Sequence, residues 1–181
     1  MVTVTRNLKK MGCMSQLKIT APDIFILMFD MFKMSDEMKL NGVNIIQLPK
    51  NFDRRGNLSV IEEIKNIPFT IKRTYWIYDV PGGEARGGHA YLQNQEFIVA
   101  LSGSFDVVLD NGTEKKIYSL NRSYYGLYVP RGVWRQMDNF STNSLALVLA
   151  SIPFDPKDYI YDYNLFKAMS RDANELINLP K

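Results

Sequence analysis

The chain has 181 residues, of which 46% are hydrophobic and 12% aromatic, enough apolar material for the core of one domain. Its 22 basic and 19 acidic residues leave a net charge of +3, and no run of five or more basic residues occurs, so nucleic acid is not the expected partner. No apolar run reaches the roughly 20 residues of a membrane-spanning helix, and the single cysteine, Cys13, excludes an internal disulfide. These features predict a protein of the reducing cytoplasm, with neither nucleic acid nor a membrane as its partner.

The first 42 residues differ from the rest of the chain. Seven of the nine methionines lie between Met1 and Met38, and no single hydrophobic period spans the segment. We expect residues 1–42 to be an N-terminal extension outside the folded domain. The alternative is an amphipathic element that docks on the domain or on a partner.

From Val43 onward, short runs rich in β-branched and aromatic residues alternate with turn signals, which is typical of an all-β sandwich or barrel. The predicted strands are Val43–Leu48, Leu58–Glu63, Phe69–Tyr78, Glu96–Leu101, Ser104–Leu109, Lys115–Leu120, Tyr124–Val129, Val133–Met137 and Ser144–Ala150. After Pro153, a short helix is expected from Asp155 and a second, C-terminal one from Tyr163 to Leu176.

Two spaced motifs stand within these strands. The first runs from Gly83 to Gly103, with His89, Tyr91 and Glu96 at its fixed points, and the second runs from Gly126 to Asn139. Side chains alternate along a strand, so the first two of those three residues point to the same side, into the barrel. The motifs resemble the two cupin motifs, with a tyrosine where the second histidine normally stands and Arg135 in the histidine position of the second motif. The expected fold is an all-β, cupin-type jelly-roll β-barrel with short C-terminal helices.

A metal centre is not expected. Metal-binding cupins use three histidines and a carboxylate, and this chain has one histidine. One histidine with one glutamate is a poor ligand set for a transition metal. The pocket is therefore predicted to hold no metal, and no cofactor is expected.

Eight segments resemble, in order, the dTDP-4-keto-6-deoxyglucose 3,4-ketoisomerases, also described as WxcM-like. They begin at Asp53, Ile67, Arg86, Leu101, Gly126, Val133, Leu147 and Asp158. The resemblance implies a domain over residues 43–167, followed by a C-terminal helical tail over 168–181. It also implies a homodimer with exchanged N-terminal strands, a bound dTDP-linked keto sugar and no metal. The implied reaction moves the ketone from C4 to C3 of the hexose, in deoxyamino sugar synthesis for surface polysaccharide such as lipopolysaccharide.

The resemblance and the cupin motif positions together predict roles for seven residues. His89 matches the catalytic base, because an imidazole pKa near neutrality suits a proton shuttle. The residues expected in catalysis are His89, Tyr91 and Arg86. The residues expected to bind substrate are Arg135, Tyr75, Arg55 and Glu96.

Four of these residues have a structural alternative. His89 could be a core histidine, Tyr91 a pocket wall, and Arg55 a solvated turn residue, while Glu96 is expected to hold an arginine or the hairpin. Tyr91 departs from the family, which usually has a histidine there, and a phenol is a weaker base at neutral pH. Two other functions stay open: a related cupin epimerase on a nucleotide sugar, and a non-catalytic sugar-nucleotide binder.

Overall fold

The structure is a computed structural model that describes residues 40–177, so nearly all of the expected N-terminal extension lies outside the described residues. The strands are β1 Asn44–Gln47, β2 Lys50–Asn51, β3 Leu58–Ser59, β4 Arg73–Ile77, β5 Arg86–Tyr91, β6 Glu96–Ser102, β7 Phe105–Asp110, β8 Lys115–Leu120, β9 Tyr125–Val129, β10 Trp134–Asp138, β11 Leu145–Ala150 and β12 Tyr159–Ile160. One α-helix, α1, spans Tyr163–Ile177, and 3₁₀ turns lie at Leu40–Gly42 and Pro156–Asp158.

Ten of the strands form two five-stranded antiparallel sheets. One sheet has the order β1-β9-β6-β11-β4 and the other β12-β5-β10-β7-β8, while β2 and β3 form a separate small ribbon. Strands that are neighbours in a sheet are mostly not consecutive in the chain, because the chain crosses repeatedly between the sheets, as it does in a jelly roll. The predicted all-β jelly roll is confirmed.

The central strand β6 is buried on both faces. Its residues Ile98 and Ala100 belong to the core between the sheets, whereas Phe97 and Val99 point to the opposite side. On that outer side they pack against Ile67 and other apolar residues of the segment before β4. Burial on both faces explains why β6 reads as a continuous apolar run. The same alternation places Glu96, the first residue of β6, on the inner face with Ile98.

Two predicted strands are shorter than expected. The run Leu58–Glu63 forms a strand only over Leu58–Ser59. Beyond it, the backbone N–H of Glu62 donates to the Asn66 side chain at 2.7 Å, and Ile64 takes a positive φ of 65°, so the chain turns. The run predicted from Phe69 becomes a strand only at Arg73, because the Ile71 N–H before it donates to the Glu63 side chain at 2.9 Å and not to a neighbouring strand.

Aspartates begin both predicted helical segments. The Asp155 side chain accepts a hydrogen bond from the Lys157 N–H, but the turn that follows is a 3₁₀ turn and no longer helix forms. The Asp162 side chain accepts from the N–H groups of Asn164 and Leu165 and so caps α1. No helix in the described part of the chain is both long and apolar enough to cross a bilayer.

Candidate active site

His89 and Tyr91 of the first motif lie on β5, and Arg135 of the second motif lies on the neighbouring strand β10. Arg135 of β10 is paired with His89 of β5, and the next residue of β10 is paired with Gly87, so β5 bulges at Gly88. Gly87 and Gly88 have φ values of 94° and 74°, a region that favours glycine. Residues paired across two strands share a face, so the pairing of His89 with Arg135 brings the imidazole and the guanidinium to the same interior face.

The centre of the site is a buried ion pair between Arg135 and Glu96. Arg135 Nε lies 2.7 Å from Glu96 Oε2, and the two side chains are only 2% and 1% exposed. The hydroxyls of Tyr75 and Tyr91 donate to Glu96 Oε1 at 2.6 and 2.9 Å. Arg135 Nη2 also donates to the Tyr75 oxygen at 2.8 Å. Four of the predicted residues therefore form one hydrogen-bonded network, and Glu96 holds an arginine as expected.

The charges in this network are fixed by their neighbours. Burial alone raises the pKa of Glu96, but the charge of Arg135 and the hydrogen bonds that the carboxylate accepts leave its pKa below the ordinary value. Burial is the largest single effect on the pKa of Arg135 and lowers it, but the charge of Glu96, its hydrogen bond to Arg135 and the two nearby tyrosines together raise this pKa above its ordinary value. The pair is therefore ionised at neutral pH, which a buried pair with this many hydrogen bonds can sustain.

The two tyrosines act as donors. Burial, together with the nearby charge of Glu96, raises the pKa of Tyr91 well above that of a free phenol. Burial also raises the pKa of Tyr75, and the positive charge of Arg135 offsets only part of this effect. Both phenols stay protonated at neutral pH, so each can donate a hydrogen bond but neither is an effective base.

His89 has the properties of a neutral base. Burial, assisted by the positive charge of Arg135, lowers its pKa to about 4, although the charge of Glu96 and a hydrogen bond to the Gly87 backbone act in the opposite direction. Its Nε2 atom is buried and has no hydrogen-bond partner in the described part of the chain. The imidazole is therefore uncharged at pH 7, and one ring nitrogen is free to accept a proton.

Aromatic rings surround His89 on one side. Its ring centroid lies 4.8 Å from that of Tyr91, 5.0 Å from Tyr159 and 5.9 Å from Tyr161. Sequence reasoning missed the last two residues as site residues. Tyr159 lies on β12, which pairs with β5, and Tyr161 follows directly after β12. Residues two apart in an extended segment point to the same side, and this spacing is the feature of the sequence that could have identified both tyrosines.

Two predicted residues lie apart from the network. Arg55 is in an exposed turn, where its Nε contacts Asp53 at 2.9 Å and 86% of its side chain is accessible. Arg86 begins β5, is exposed, and lines a groove with Trp76 and Tyr78. The structure does not bring either residue to Glu96 and Arg135, so the roles predicted for them stay predictions.

The donor set does not fit a metal ion. Both oxygens of Glu96 accept hydrogen bonds from Arg135, and Oε1 accepts from two tyrosines as well. Arg135, which carries a permanent positive charge, stands where a metal-binding cupin has its third histidine. Among residues 40–177, no group of three or more histidine, cysteine or acidic side chains could hold an ion.

The site can bind an anion and move a proton. Arg135 Nη1 is buried and without a hydrogen-bond partner within residues 40–177, as is His89 Nε2. A buried polar group without a partner is costly unless a ligand satisfies it. Arg135 Nη1 is thus a free hydrogen-bond donor, and His89 Nε2, on the residue paired with it, is a free acceptor. This combination suits a substrate that develops negative charge as it loses a proton.

Comparison with known proteins identifies relatives of this chain. Residues 41–171 match the family described as FdtA, WxcM-like, C-terminal. The TDP-4-oxo-6-deoxy-α-D-glucose-3,4-oxoisomerase of Aneurinibacillus thermoaerophilus is 45% identical over 123 residues, which cover 68% of this chain and 88% of the relative.

Two solved structures are also similar. A 3,4-ketoisomerase from Helicobacter canadensis superposes with a TM-score of 0.70 at 38% identity, covering 72% of this chain and 98% of the other. The sugar 3,4-ketoisomerase QdtA from Thermoanaerobacterium thermosaccharolyticum, solved in complex with TDP, gives a TM-score of 0.72 at 35% identity and covers 74% and 97%. These matches confirm the cupin-type fold and the resemblance read from the motifs. The chain belongs to the WxcM-like family of sugar 3,4-ketoisomerases.

Proposed function

We propose that the protein isomerises a dTDP-linked 4-keto-6-deoxyhexose to the 3-keto sugar. The observation that carries this function is the pair formed by His89 and Arg135, in which a free imidazole nitrogen and a free guanidinium nitrogen occupy one buried face. The relatives that act on TDP-linked sugars support the choice of substrate.

His89 is the proposed base. Its Nε2 takes the proton from C3, and the electron pair of the broken C–H bond forms a C3–C4 double bond and places negative charge on O4. The hydroxyl proton of O3 moves to O4 in the same tautomerisation. Returning the first proton from the imidazolium to C4 leaves a ketone at C3 and a hydroxyl at C4. One base therefore serves both carbons from one face of the sugar.

Arg135 is the proposed stabiliser of the enediolate. Its guanidinium is held by Glu96 through Nε and Nη2, which leaves Nη1 available to a ligand. Because Glu96 already orients the cation, little reorganisation is needed when charge develops on the substrate oxygens. This arrangement gives Glu96 a positioning role, since both its oxygens are taken up by protein donors.

Tyr91 is proposed to be part of the pocket wall and of the support for Glu96. Its hydroxyl donates to the carboxylate and its raised pKa keeps the proton on the phenol. The histidine that the family usually carries here is therefore dispensable for proton transfer in this chain, provided that His89 alone serves C3 and C4.

The experiment that tests the function is incubation with dTDP-4-keto-6-deoxyglucose in deuterium oxide, followed by NMR at C3 and C4. Migration of the ketone to C3 is the expected result, and deuterium enters at C4 to the extent that the imidazolium exchanges its proton with solvent before returning it. Exchange or inversion without migration would instead indicate an epimerase. A substrate that stays unchanged would indicate a non-catalytic binder.

We also propose a homodimer that exchanges N-terminal strands. Strand β1 is the edge of its sheet and pairs only with β9 within the described residues. A groove of about 500 Å³ beside it is lined by Leu48, Val99, Leu101 and Leu147 among others, on the outer side of the sheet. An unpaired edge beside apolar surface is what a second chain can cover. Sedimentation as a dimer at micromolar concentration is expected, and a stable monomer would contradict the proposal.

A further inference from the structure

Asp158 is a buried carboxylate that the proposed reaction does not use. It ends the 3₁₀ turn Pro156–Asp158, and only 6% of the residue is exposed. A buried carboxylate is costly unless hydrogen bonds satisfy its oxygens. Here Oδ1 accepts from the Gln93 N–H at 2.6 Å and Oδ2 from the Asn94 N–H at 3.1 Å. The carboxylate therefore holds a segment that is distant in the chain.

That segment is the turn between β5 and β6, residues 92–95. Three of its four backbone N–H groups donate to Asp158, because the Leu92 N–H donates to the Asp158 carbonyl oxygen at 2.9 Å in addition to the two bonds to the carboxylate. The fourth, from Gln95, donates to the Ser151 hydroxyl at 2.8 Å. Since buried backbone donors must be paired, a turn with most of its donors on one residue takes its position from that residue.

The β5–β6 turn joins two members of the network at the active site. Tyr91 ends β5 and Glu96 begins β6, and the Tyr91 hydroxyl donates to Glu96 Oε1 at 2.9 Å across the turn. Glu96 in turn accepts from Arg135 Nε at 2.7 Å and so orients the guanidinium. A shift of the turn would therefore move the carboxylate relative to the cation that it holds.

The residue after Asp158 contacts the proposed base. Tyr159 is paired with Tyr91, and its ring centroid lies 4.7 Å from that of Tyr91 and 5.0 Å from that of His89. Asp158 is thus connected to the site in two ways, through the turn that it holds and through the strand β12 that follows it.

We propose that Asp158 is a positioning residue for the isomerisation, which fixes the β5–β6 turn and thereby keeps Glu96 and Arg135 in place beside His89. This inference rests on the proposed function, because that reaction needs the base and the cation held together before charge develops on the substrate. Asp158 contributes through the groups that it places and needs no contact with the sugar.

Asp158→Asn tests the inference by steady-state kinetics with dTDP-4-keto-6-deoxyglucose. Asparagine keeps the size but replaces one accepting oxygen with an NH₂ donor that faces a backbone N–H. Turnover should fall by roughly 10- to 100-fold, the scale on which a misplacement of about 1 Å acts. KM should stay within about threefold of wild type, because the loss falls on interactions that form in the transition state.

A second readout is the NMR titration of His89, the only histidine in the chain. Burial is the main cause that holds its pKa at about 4. In Asp158→Asn the imidazole should titrate closer to 6.5, because a loosened turn admits water beside the ring. A smaller amount of folded protein would not move this value, since the signals report on the folded molecules.

Two aspartates provide matched controls. Asp110 is also buried and also holds a turn, because it accepts from the Gly112 N–H at 2.6 Å and from the Tyr163 hydroxyl at 2.7 Å. Asp110→Asn should lower the melting temperature as Asp158→Asn does, but leave turnover and the His89 titration unchanged. Asp155→Asn, at an exposed residue that accepts from the Lys157 N–H, should change none of these.

If Asp158→Asn does not fold, Asp158→Ser replaces it, because a hydroxyl can accept one of the two bonds. Wild-type turnover in either folded variant would overturn the inference, and so would a His89 titration that stays near pH 4. Equal effects of Asp110→Asn would also overturn it, since they would indicate a general loss of stability. A wild-type protein that does not move the ketone would contradict the proposed reaction, and the His89 titration would then decide the positioning role alone.

Discussion

His89 on β5 lies directly opposite Arg135 on β10, and a glycine bulge next to His89 is what allows the guanidinium to fit there. A Cβ atom added to Gly87 would come within 2.7 Å of Arg135 Nη1 and 3.1 Å of the Arg135 carbonyl oxygen. The site therefore requires a residue without a side chain at position 87.

Gly87→Ala should lower stability and activity together. The added methyl meets Arg135 and the backbone has a positive φ, so we expect a loss of about 1–3 kcal/mol in the free energy of unfolding. Gly88→Ala is a matched control, because Gly88 also has a positive φ but a Cβ there has nothing within 4 Å. Denaturant unfolding and turnover should both be more affected by Gly87→Ala. Equal effects of the two variants would indicate that backbone strain alone matters.

Glu96→Gln should be strongly destabilising, because it leaves the buried Arg135 without its counterion. The expected loss is about 3–5 kcal/mol. The control is Glu62→Gln, which removes the carboxylate of an exposed pair with Lys65 and should cost less than about 1 kcal/mol. The double variant Glu96→Leu with Arg135→Met should recover much of the stability while losing activity. Chemical denaturation of the variants measures these differences, and a small loss for Glu96→Gln would contradict the account of the network.

The acidity of His89 can be followed directly, because it is the only histidine in the chain. Its ring faces Arg135 from β10, Glu96 from β6, Arg73 from β4 and the tyrosines around it, and its expected pKa is about 4. In an NMR titration of untagged protein, the imidazole signals should therefore titrate far below pH 6.5.

The sign of the stability effect follows from the same pKa. The unfolded chain protonates this histidine near pH 6.5 and the folded chain near pH 4, so stability should fall as the pH drops between these values. The acid limb of kcat/KM should likewise lie near pH 4, because a protonated imidazole cannot accept the C3 proton. A titration of the free protein centred near pH 6.5 would show that His89 is neither buried nor near Arg135 as described.

Much of the site could be predicted from sequence, because several of its residues lie close together in the chain. Two residues on one strand, His89 and Tyr91, share a face by alternation alone, and the motif spacing places Glu96 at the start of the next strand. The contact of Tyr159 with His89 could not be predicted, because it depends on β12 lying beside β5. Strand lengths failed for a similar reason: Phe69 and Ile71 have a strong strand propensity, but the Ile71 N–H bonds to the distant Glu63 side chain and not to a strand.

Tyr91→Phe tests the residue that departs from the family. It removes one hydrogen bond to Glu96, whose Oε1 keeps the hydroxyl of Tyr75, so turnover should fall less than about tenfold. Tyr91→His, which restores the usual family residue, should preserve or raise activity. Steady-state kinetics with dTDP-4-keto-6-deoxyglucose measures both. A loss with Tyr91→Phe as large as that caused by removing the base would identify the phenol as a proton relay.

The central claim is that His89 transfers the proton, and His89→Asn tests it most directly. Asparagine has a similar size and some hydrogen-bonding capacity but cannot accept the proton from C3. Turnover measured by NMR in deuterium oxide should fall by roughly 10²- to 10⁴-fold, while dTDP affinity stays within a few fold of wild type. Normal turnover by His89→Asn would contradict the mechanism, wherever the substrate binds.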